Sequence, residues 1–287
     1  MRVKYQPRSF ERWHDFLSEQ RTISSQLGDV FAEHSIFPNL PYGENDTIKA
    51  PITTLKDLEI HLSAFLEVPV MTVLNKLSSV DKLGSICRVD GVINFIHLDD
   101  REMIANPGKI LGIETASSQE AKFRPDGICL CSKPRGIEGP NILLYPFDVK
   151  WPHTLTAQDL RAALGPMTGF GGVSQPTPNG TMSNPVKEAL TGTYNNMIKS
   201  LAEFGMVTIG SSFVFLRVDW ADDARTLYYH LAEPEHDIAH AAEGDGPDIW
   251  TFSAVSQCIA FTIMALKKCH HSELERRMEI REALQKA

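Results

Sequence analysis

The chain has 287 residues, of which 43% are hydrophobic and 22% are charged, a balance that predicts a globular protein with a sizeable core. Its formal net charge of −8 excludes a protein that coats nucleic acid through bulk positive charge, although it is compatible with a local basic groove. The five cysteines are odd in number and lack paired spacing, which favours a reducing compartment over a disulfide framework.

The N-terminal part of the chain is expected to be helical. Residues 1–50 alternate short helical stretches with turn signals such as FPNLPYGEND, and we expect a helical extension there. Residues 51–287 are expected to form one domain that includes the C-terminal helix. This domain opens with an amphipathic helix, because apolar residues recur at helical spacing between Leu55 and Leu66, after the candidate N-cap Thr54.

Three strands are expected in the middle of the chain. β-Branched and aromatic residues in ICRVDGVINFIHL (86–98) predict a strand or hairpin. RPDGICLCS (124–132) contains a short apolar strand, and ILLYPFDVKW (142–151) contains a longer one that pairs with it. Pro146 within the last strand predicts a bulge or a strand edge, because proline cannot donate a hydrogen bond to a ladder.

The next part of the chain is expected to contain a short helix at 156–164 and a glycine-rich loop at 165–185. The sequence GPMTGFGGV in this loop lacks the G-K-[ST] of a phosphate-binding loop, so we interpret it as a flexible loop or lid. A helix capped by Asn184 is expected to run to a stop at Gly205. MVTIGSSFVFLRVDW and TLYYHLAE are expected to form one strand each.

The apolar segment AVSQCIAFTIMAL, residues 254–266, is too short to span a bilayer and is expected to be a core helix. The first residues are charged throughout and do not resemble a signal peptide. We therefore expect a soluble intracellular protein, in the nucleus or the cytoplasm, with no membrane partner. The charged helix at the C-terminus is a candidate homodimer element. The order of the elements predicts an α/β fold with a mixed central sheet and flanking helices.

Two acidic residues and a lysine lie on neighbouring predicted strands. Asp126 starts one strand, Asp148 lies near the end of the next, and the period of two places Lys150 on the same strand face as Asp148. If the strands are adjacent, the three side chains converge at one edge of the sheet. Hard carboxylate oxygens suit Mg²⁺ or Mn²⁺, which can activate a bound water beside a lysine. The alternative interpretation is an ion-paired sheet edge without activity.

The sequences RPDG and FDVKW, in this order, resemble the motifs of the PD-(D/E)XK nuclease superfamily. The resemblance covers about residues 54–231 and implies a restriction-endonuclease-like α-β-β-β-α-β core. It also implies that Asp126, Asp148 and the carbonyl of Val149 hold Mg²⁺ or Mn²⁺, with Lys150 as the catalytic lysine. The implied activity is hydrolysis of phosphodiester bonds in DNA or RNA, and we favour DNA as the nucleic-acid partner. The late SAVSQCIAFTIMAL helix is similar to nuclease-like modules of fungal proteins, including Crinkler-type effectors and selfish killer elements.

Many members of this superfamily use a further glutamate on the first core helix. Helical geometry places Glu59 at the rim of the apolar face, whereas Glu67 points away from that face. We therefore expect Glu59 to complete the metal and catalytic site. The alternative interpretation is a rim glutamate whose head group reaches solvent.

Several other residues near these motifs have ordinary structural explanations. Trp151 and His153 follow Lys150 and could line a substrate path, although packing is the more common role of such residues. The helix after the glycine-rich loop often faces the active site in the superfamily that this sequence resembles. Its polar or amphipathic residues are nevertheless expected to face solvent; they are Tyr194, Asn195 and Lys199.

His236 and His240 have a spacing that can bind zinc on a helix, but they lack an H-E-x-x-H motif and Pro234 interrupts the segment.

The alternative to a nuclease is a catalytically inactive module with the same fold, which would bind nucleic acid or a protein partner.

Overall fold

The structure is a computed structural model that describes residues 5–33, 52–79, 91–98, 123–133, 141–165, 184–243, 249–268 and 274–286. Its strands are β1 (Ser9–Arg12), β2 (Val92–His97), β3 (Gly127–Ser132), β4 (Ile142–Val149), β5 (Phe204–Thr208), β6 (Phe213–Val218) and β7 (Thr226–Ala232). Its helices are α1 (Phe16–Glu33), α2 (Leu55–Leu62), α3 (Val68–Ser79), α4 (Ala157–Leu164), α5 (Asn184–Ser200), α6 (Pro234–Glu243), α7 (Ala254–Lys268) and α8 (Leu274–Lys286). A π-helical turn, Ser63–Glu67, joins α2 to α3, and a 3₁₀ turn, Ile249–Phe252, precedes α7.

The seven strands form one mixed sheet in the order β1-β7-β6-β5-β4-β3-β2. β1 is parallel to β7 and β4 is parallel to β5, while the other neighbours are antiparallel. The expected α/β fold with a mixed sheet and flanking helices is therefore confirmed.

Two apolar layers cover the two faces of the sheet. The first layer is formed by α1, α2, α3 and α7, and the second by α4, α5 and α8. β4 shows how one strand serves both faces, because Tyr145, Phe147 and Val149 belong to the first layer while Asp148 contacts α5 on the other side.

Helix α7 is buried from Gln257 to Leu266, so the expected core helix is confirmed. Among the described parts of the chain, none of the helices has the length and apolar character needed to cross a membrane. Helix α8 packs apolar residues such as Leu274 and Met278 against the second layer. Cys129 and Cys131 are buried thiols in β3.

The expectation of a purely helical N-terminal extension is wrong for residues 5–33. Strand β1 pairs in parallel with β7, and Phe16 at the start of α1 is fully buried and stacks on Phe215 at 5.2 Å between ring centroids. A strand as short as SFER is too brief to show a period of two, which is why the pattern did not indicate it.

Two boundaries after the glycine-rich segment also differ from expectation. Helix α5 ends at Ser200, and Leu201 adopts a left-handed conformation with φ of 59°, so a non-glycine residue ends this helix. Gly205 lies inside β5. The segment expected to form one strand is a hairpin, β5–β6, whose turn contains Gly210 with φ of 91°. The glycine-rich loop falls outside the described residues from position 166 to 183.

Pro146 is tolerated in a central strand because of the local pairing. The register of β3 and β4 shifts between Cys129 and Leu130, so the expected bulge is present just before Pro146. The parallel ladder with β5 has its first paired residue at Phe147. The parallel ladder therefore does not need a backbone N–H from Pro146.

Candidate active site

The antiparallel register of β3 and β4 places Asp126 opposite Asp148. Gly127 pairs with Phe147, so the residue before Gly127 faces the residue after Phe147. The backbone N–H of Asp126 donates to Asp148 Oδ1 at 3.3 Å, and that of Val149 donates to Asp126 Oδ2 at 2.8 Å. Each carboxylate is therefore held by the backbone of the other strand.

Lys150 lies on the solvent side of this acid pair. Its Nζ is 3.5 Å from Asp126 Oδ2 and 3.9 Å from Asp148 Oδ1. The side chains of Lys150 and Asp126 are 32% and 35% exposed, whereas that of Asp148 is only 5% exposed. The site consequently has a buried acid, a half-exposed acid and a half-exposed cation at the end of β4.

Burial raises the pKa of Asp148, because desolvation disfavours its charged form. The positive charge of Lys150 opposes this rise in pKa, and the negative charge of Asp126 adds to it. Hydrogen bonds from the Thr193 hydroxyl and from the Asp126 backbone N–H favour the charged form. The site thus concentrates negative charge where a cation would relieve it.

The sequence interpretation missed Thr193, whose hydroxyl donates to Asp148 Oδ2. Thr193 is fully buried in α5, on the face that carries Leu190 and Met197. A hydroxyl on an apolar helix face needs a partner, and that signal was available in the sequence. The identity of the partner could not be predicted, because Asp148 lies 45 residues away in the sequence.

Glu59 is not brought to the acid pair by any contact in the described residues. It forms an ion pair of 3.0 Å with Lys56, one turn earlier on α2. Its assignment as a metal ligand therefore has no further support from the fold and stays a prediction.

The expected outward orientation of Glu67 is wrong. This residue is 4% exposed, and its Oε1 is 2.8 Å from His97 Nε2. The π-helical turn changes the number of residues per turn and thereby rotates Glu67 toward the core. The hydrogen bond to the Glu67 carboxylate raises the pKa of His97, although burial of the ring opposes the rise. The pair lies on the sheet face opposite Asp148, because the His97 ring contacts Phe147 edge-on at 5.4 Å.

The other candidate residues have structural partners. Trp151 packs against the first apolar layer, and its ring centroid is 5.4 Å from that of His153. The solvent-facing expectation is wrong for Tyr194, which is buried and donates to the carbonyl of Ala224 at 2.8 Å. Asn195 is half-buried and accepts a hydrogen bond from the Tyr5 backbone at 3.1 Å.

Lys199, the third residue expected to face solvent, is half-buried near the end of α5. His236 and His240 lie one turn apart on α6, where their rings stack at 4.2 Å. Pro234 begins this helix and does not interrupt it. Within the described ranges, no group of three or more His, Cys, Asp or Glu residues gathers into a metal site.

The donor set of the acid pair nevertheless fits Mg²⁺ or Mn²⁺. Such ions bind through one or two carboxylates and keep several waters, so they do not need a cage of protein ligands. Asp126 and Asp148 supply the carboxylates, and the resemblance adds the Val149 carbonyl.

The family model that describes the Spore killer 2 N-terminal domain matches residues 74–286. The chain belongs to this family. The membership is consistent with a fungal module. No curated protein and no solved structure matches the chain. The matched region contains Asp126, Asp148, Lys150 and Thr193, and it begins after both Glu59 and Glu67.

Proposed function

We propose that this member of the Spore killer 2 N-terminal domain family is a divalent-metal-dependent nuclease. The observation that carries the proposal is the acid pair Asp126–Asp148 with Lys150 Nζ within 3.5 Å and 3.9 Å of its carboxylates. The substrate in this proposal is a phosphodiester of DNA or RNA, and DNA is the one we test first.

In this mechanism Asp126, Asp148 and the Val149 carbonyl would hold Mg²⁺ or Mn²⁺, which would lower the pKa of a bound water and offset phosphate charge. Lys150 orients the attacking water and stabilises the negative charge that develops on the phosphoryl oxygens. The water oxygen forms a new bond to phosphorus and gives up a proton to solvent. The bond from phosphorus to the leaving sugar oxygen breaks, and that oxygen takes up a proton from solvent. The buried position of Asp148 keeps bulk water from one side of the acid pair.

Two further observations support the proposal. The elements from α2 through β2, β3, β4 and α5 to β5 follow the order that the restriction-endonuclease-like resemblance implies. The family is also named for a spore killer, and cleavage of nucleic acid is one way to kill a cell.

A cleavage assay tests the proposal. Purified protein should cut DNA when Mg²⁺ or Mn²⁺ is present and should stop when a chelator removes the metal. Asp126→Ala, Asp148→Ala and Lys150→Ala should each reduce cleavage by a factor of at least about 10², the scale of lost electrostatic stabilisation. Lys187→Ala removes an exposed lysine from α5 and serves as the matched control. If Lys150→Ala cuts as fast as the wild type, the mechanism is wrong.

The second candidate is a catalytically inactive module that binds nucleic acid or a protein partner. The observation that favours it is that three of the four carboxylate oxygens of the acid pair already accept a hydrogen bond from the protein. Calorimetry with Mn²⁺ separates the candidates. A binding site that Asp126→Ala abolishes supports the nuclease, whereas DNA binding without any Mn²⁺ site supports the inactive module.

A further inference from the structure

Helix α5 contacts the chain segments that present both acids. Thr193 donates to Asp148 Oδ2, and Asn196, on the adjacent turn of the same helix, accepts the backbone N–H of Arg124 at 3.4 Å. Arg124 lies two residues before Asp126. One helix face therefore reaches the end of β4 and the segment that leads into β3.

The close approach of α5 to the sheet depends on Gly205 in β5. A Cβ at this position would lie 2.6 Å from Met197 Sδ and 3.2 Å from Thr193 Cγ2. A larger residue would have to displace the Met197 side chain and would press against the Thr193 side chain. The absence of a side chain at Gly205 thus leaves room for Thr193 to reach Asp148 on β4, the strand next to β5.

The single hydroxyl proton of Thr193 has two acceptors within reach. One is the carbonyl of Ala189 at 3.3 Å, in the preceding turn of α5, and the other is Asp148 Oδ2, which is closer. A bond to a charged acceptor is about twice as strong as a bond to a neutral one. The proton therefore goes to Asp148, and the bond forms in a fully buried site.

We propose that Thr193 is the positioning residue of the acid pair, fixing the Asp148 carboxylate so that its Oδ1 faces Asp126 and Lys150. This inference rests on the proposed function for its consequence, which is metal binding, but its geometry does not depend on metal. With Oδ2 tied to α5 and Oδ1 tied to the Asp126 backbone, the carboxylate cannot rotate about its terminal bond without breaking both contacts.

The loss of such an outer contact has a characteristic size. Residues that orient metal ligands without touching the metal typically change metal affinity by about 10- to 100-fold when they are replaced. Thr193→Val keeps the shape of the side chain and removes the hydroxyl, so we expect Mn²⁺ affinity to fall by about that factor. Thr193→Ser keeps the hydroxyl and should restore affinity close to the wild-type value.

The first experiment is calorimetric titration of the metal-free protein with Mn²⁺. Thr191→Val is the matched control, because Thr191 is buried on the same helix and takes part in none of the described hydrogen bonds of the acid pair. Equal affinity in Thr193→Val and the wild type would overturn the proposal. Equal losses in Thr193→Val and Thr193→Ser would do the same, because they would indicate packing and not the hydroxyl.

The second experiment needs no metal and measures hydrogen exchange of the Asp126 amide. This N–H donates to Asp148 Oδ1, so it should exchange faster in Thr193→Val and at the wild-type rate in Thr193→Ser and Thr191→Val. Unchanged exchange in Thr193→Val overturns the positioning role. If wild-type protein takes up no Mn²⁺, the proposed nuclease fails, and the exchange rates still decide the role of Thr193. Thr193→Cys, of similar size but a weaker donor, replaces Thr193→Val if the latter does not fold.

Discussion

The phenyl ring of Phe147 lies directly over Gly127, its partner across the β3–β4 ladder. A Cβ on Gly127 would lie 2.1 Å from Phe147 Cζ and 2.6 Å from Cε2, so only glycine fits beneath the ring. Both residues are next to an acid in the sequence, and their contact lies on the opposite face of the sheet from Asp148. The packing behind the site therefore fixes the register of the acids in front of it.

Gly127→Ala should destabilise the protein, because Phe147 must leave its position in a packed core. Overpacking of this kind costs about 1–3 kcal/mol, which chemical denaturation can measure. Gly28→Ala is the control. A Cβ on Gly28 would meet no atom within 4 Å in the middle of α1, so this change should be neutral or stabilise the protein by about 0.5–1 kcal/mol. Equal effects at both glycines would contradict the packing argument.

Asp148→Asn should abolish cleavage without unfolding the protein. The amide can still accept the Asp126 N–H through its oxygen, while Thr193 can accept from the amide nitrogen and donate to Ala189. Burial raises the pKa of Asp148 in the folded state, so its ionisation costs stability as the pH rises above the unfolded value of 3.8.

The asparagine variant lacks this cost. Its stability relative to the wild type should therefore increase as the pH rises from acid toward neutral, as measured by urea denaturation at several pH values. A relative stability that does not change with pH would show that Asp148 does not titrate differently in the folded state.

His230 should make the protein sensitive to acid. It is buried and stacks on Phe16 at 4.0 Å between ring centroids, and burial lowers its pKa from 6.5 to about 3. In the unfolded chain this histidine binds a proton below pH 6.5, whereas in the folded protein it does so only near pH 3. Stability is therefore lost as the pH falls from 6.5 to about 3. His230→Phe should reduce this loss in denaturation experiments. His14→Phe, at an exposed position, should leave it unchanged.

The pair Glu67–His97 should stabilise the fold most strongly at low pH. Its hydrogen bond raises the pKa of His97 above 6.5, so the contribution is complete below 6.5 and is lost as the pH rises through the folded value. Glu67→Gln should therefore destabilise the protein more below this value than well above it.

Glu188→Gln is the matched control for this pair, because Glu188 is an exposed carboxylate on α5, away from His97. Glu59 would not serve, because its charge also raises the pKa of His97. Thermal melting at the two pH values compares the variants, and an identical pH dependence of both would exclude a charged pair at Glu67.

The acid pair and Lys150 could be predicted because the information is local. A period of two placed Asp148 and Lys150 on one face, and a turn between successive strands made Asp126 a neighbour of Asp148. The π-helical turn before Glu67 could not be predicted, because the helical period that was assumed for α2 ends at Leu62. The expected outward orientation of Glu67 was therefore wrong, whereas Glu59 is partly buried, as a rim position predicts.

The other features that could not be predicted from the sequence depend on tertiary contacts. The bond from Thr193 to Asp148 joins residues that are 45 positions apart, and a hydroxyl on an apolar face indicates that a partner exists without saying which. Leu201 ends α5 in a conformation that sequence reasoning reserves for glycine, which is why Gly205 was the expected stop. Strand β1 depends on β7 for its definition, since four residues carry no pattern of their own.

The position of β1 has a practical consequence for anyone preparing this protein. The family match starts at residue 74, whereas β1 and α1 lie entirely before it. A shortened protein limited to residues 74–286 would leave the outer edge of β7 without a partner and would uncover Phe215 and His230, on which Phe16 stacks. Open strand edges promote pairing between chains, so such a fragment should aggregate on expression. Residues 5–33 belong in any sample intended for a cleavage assay.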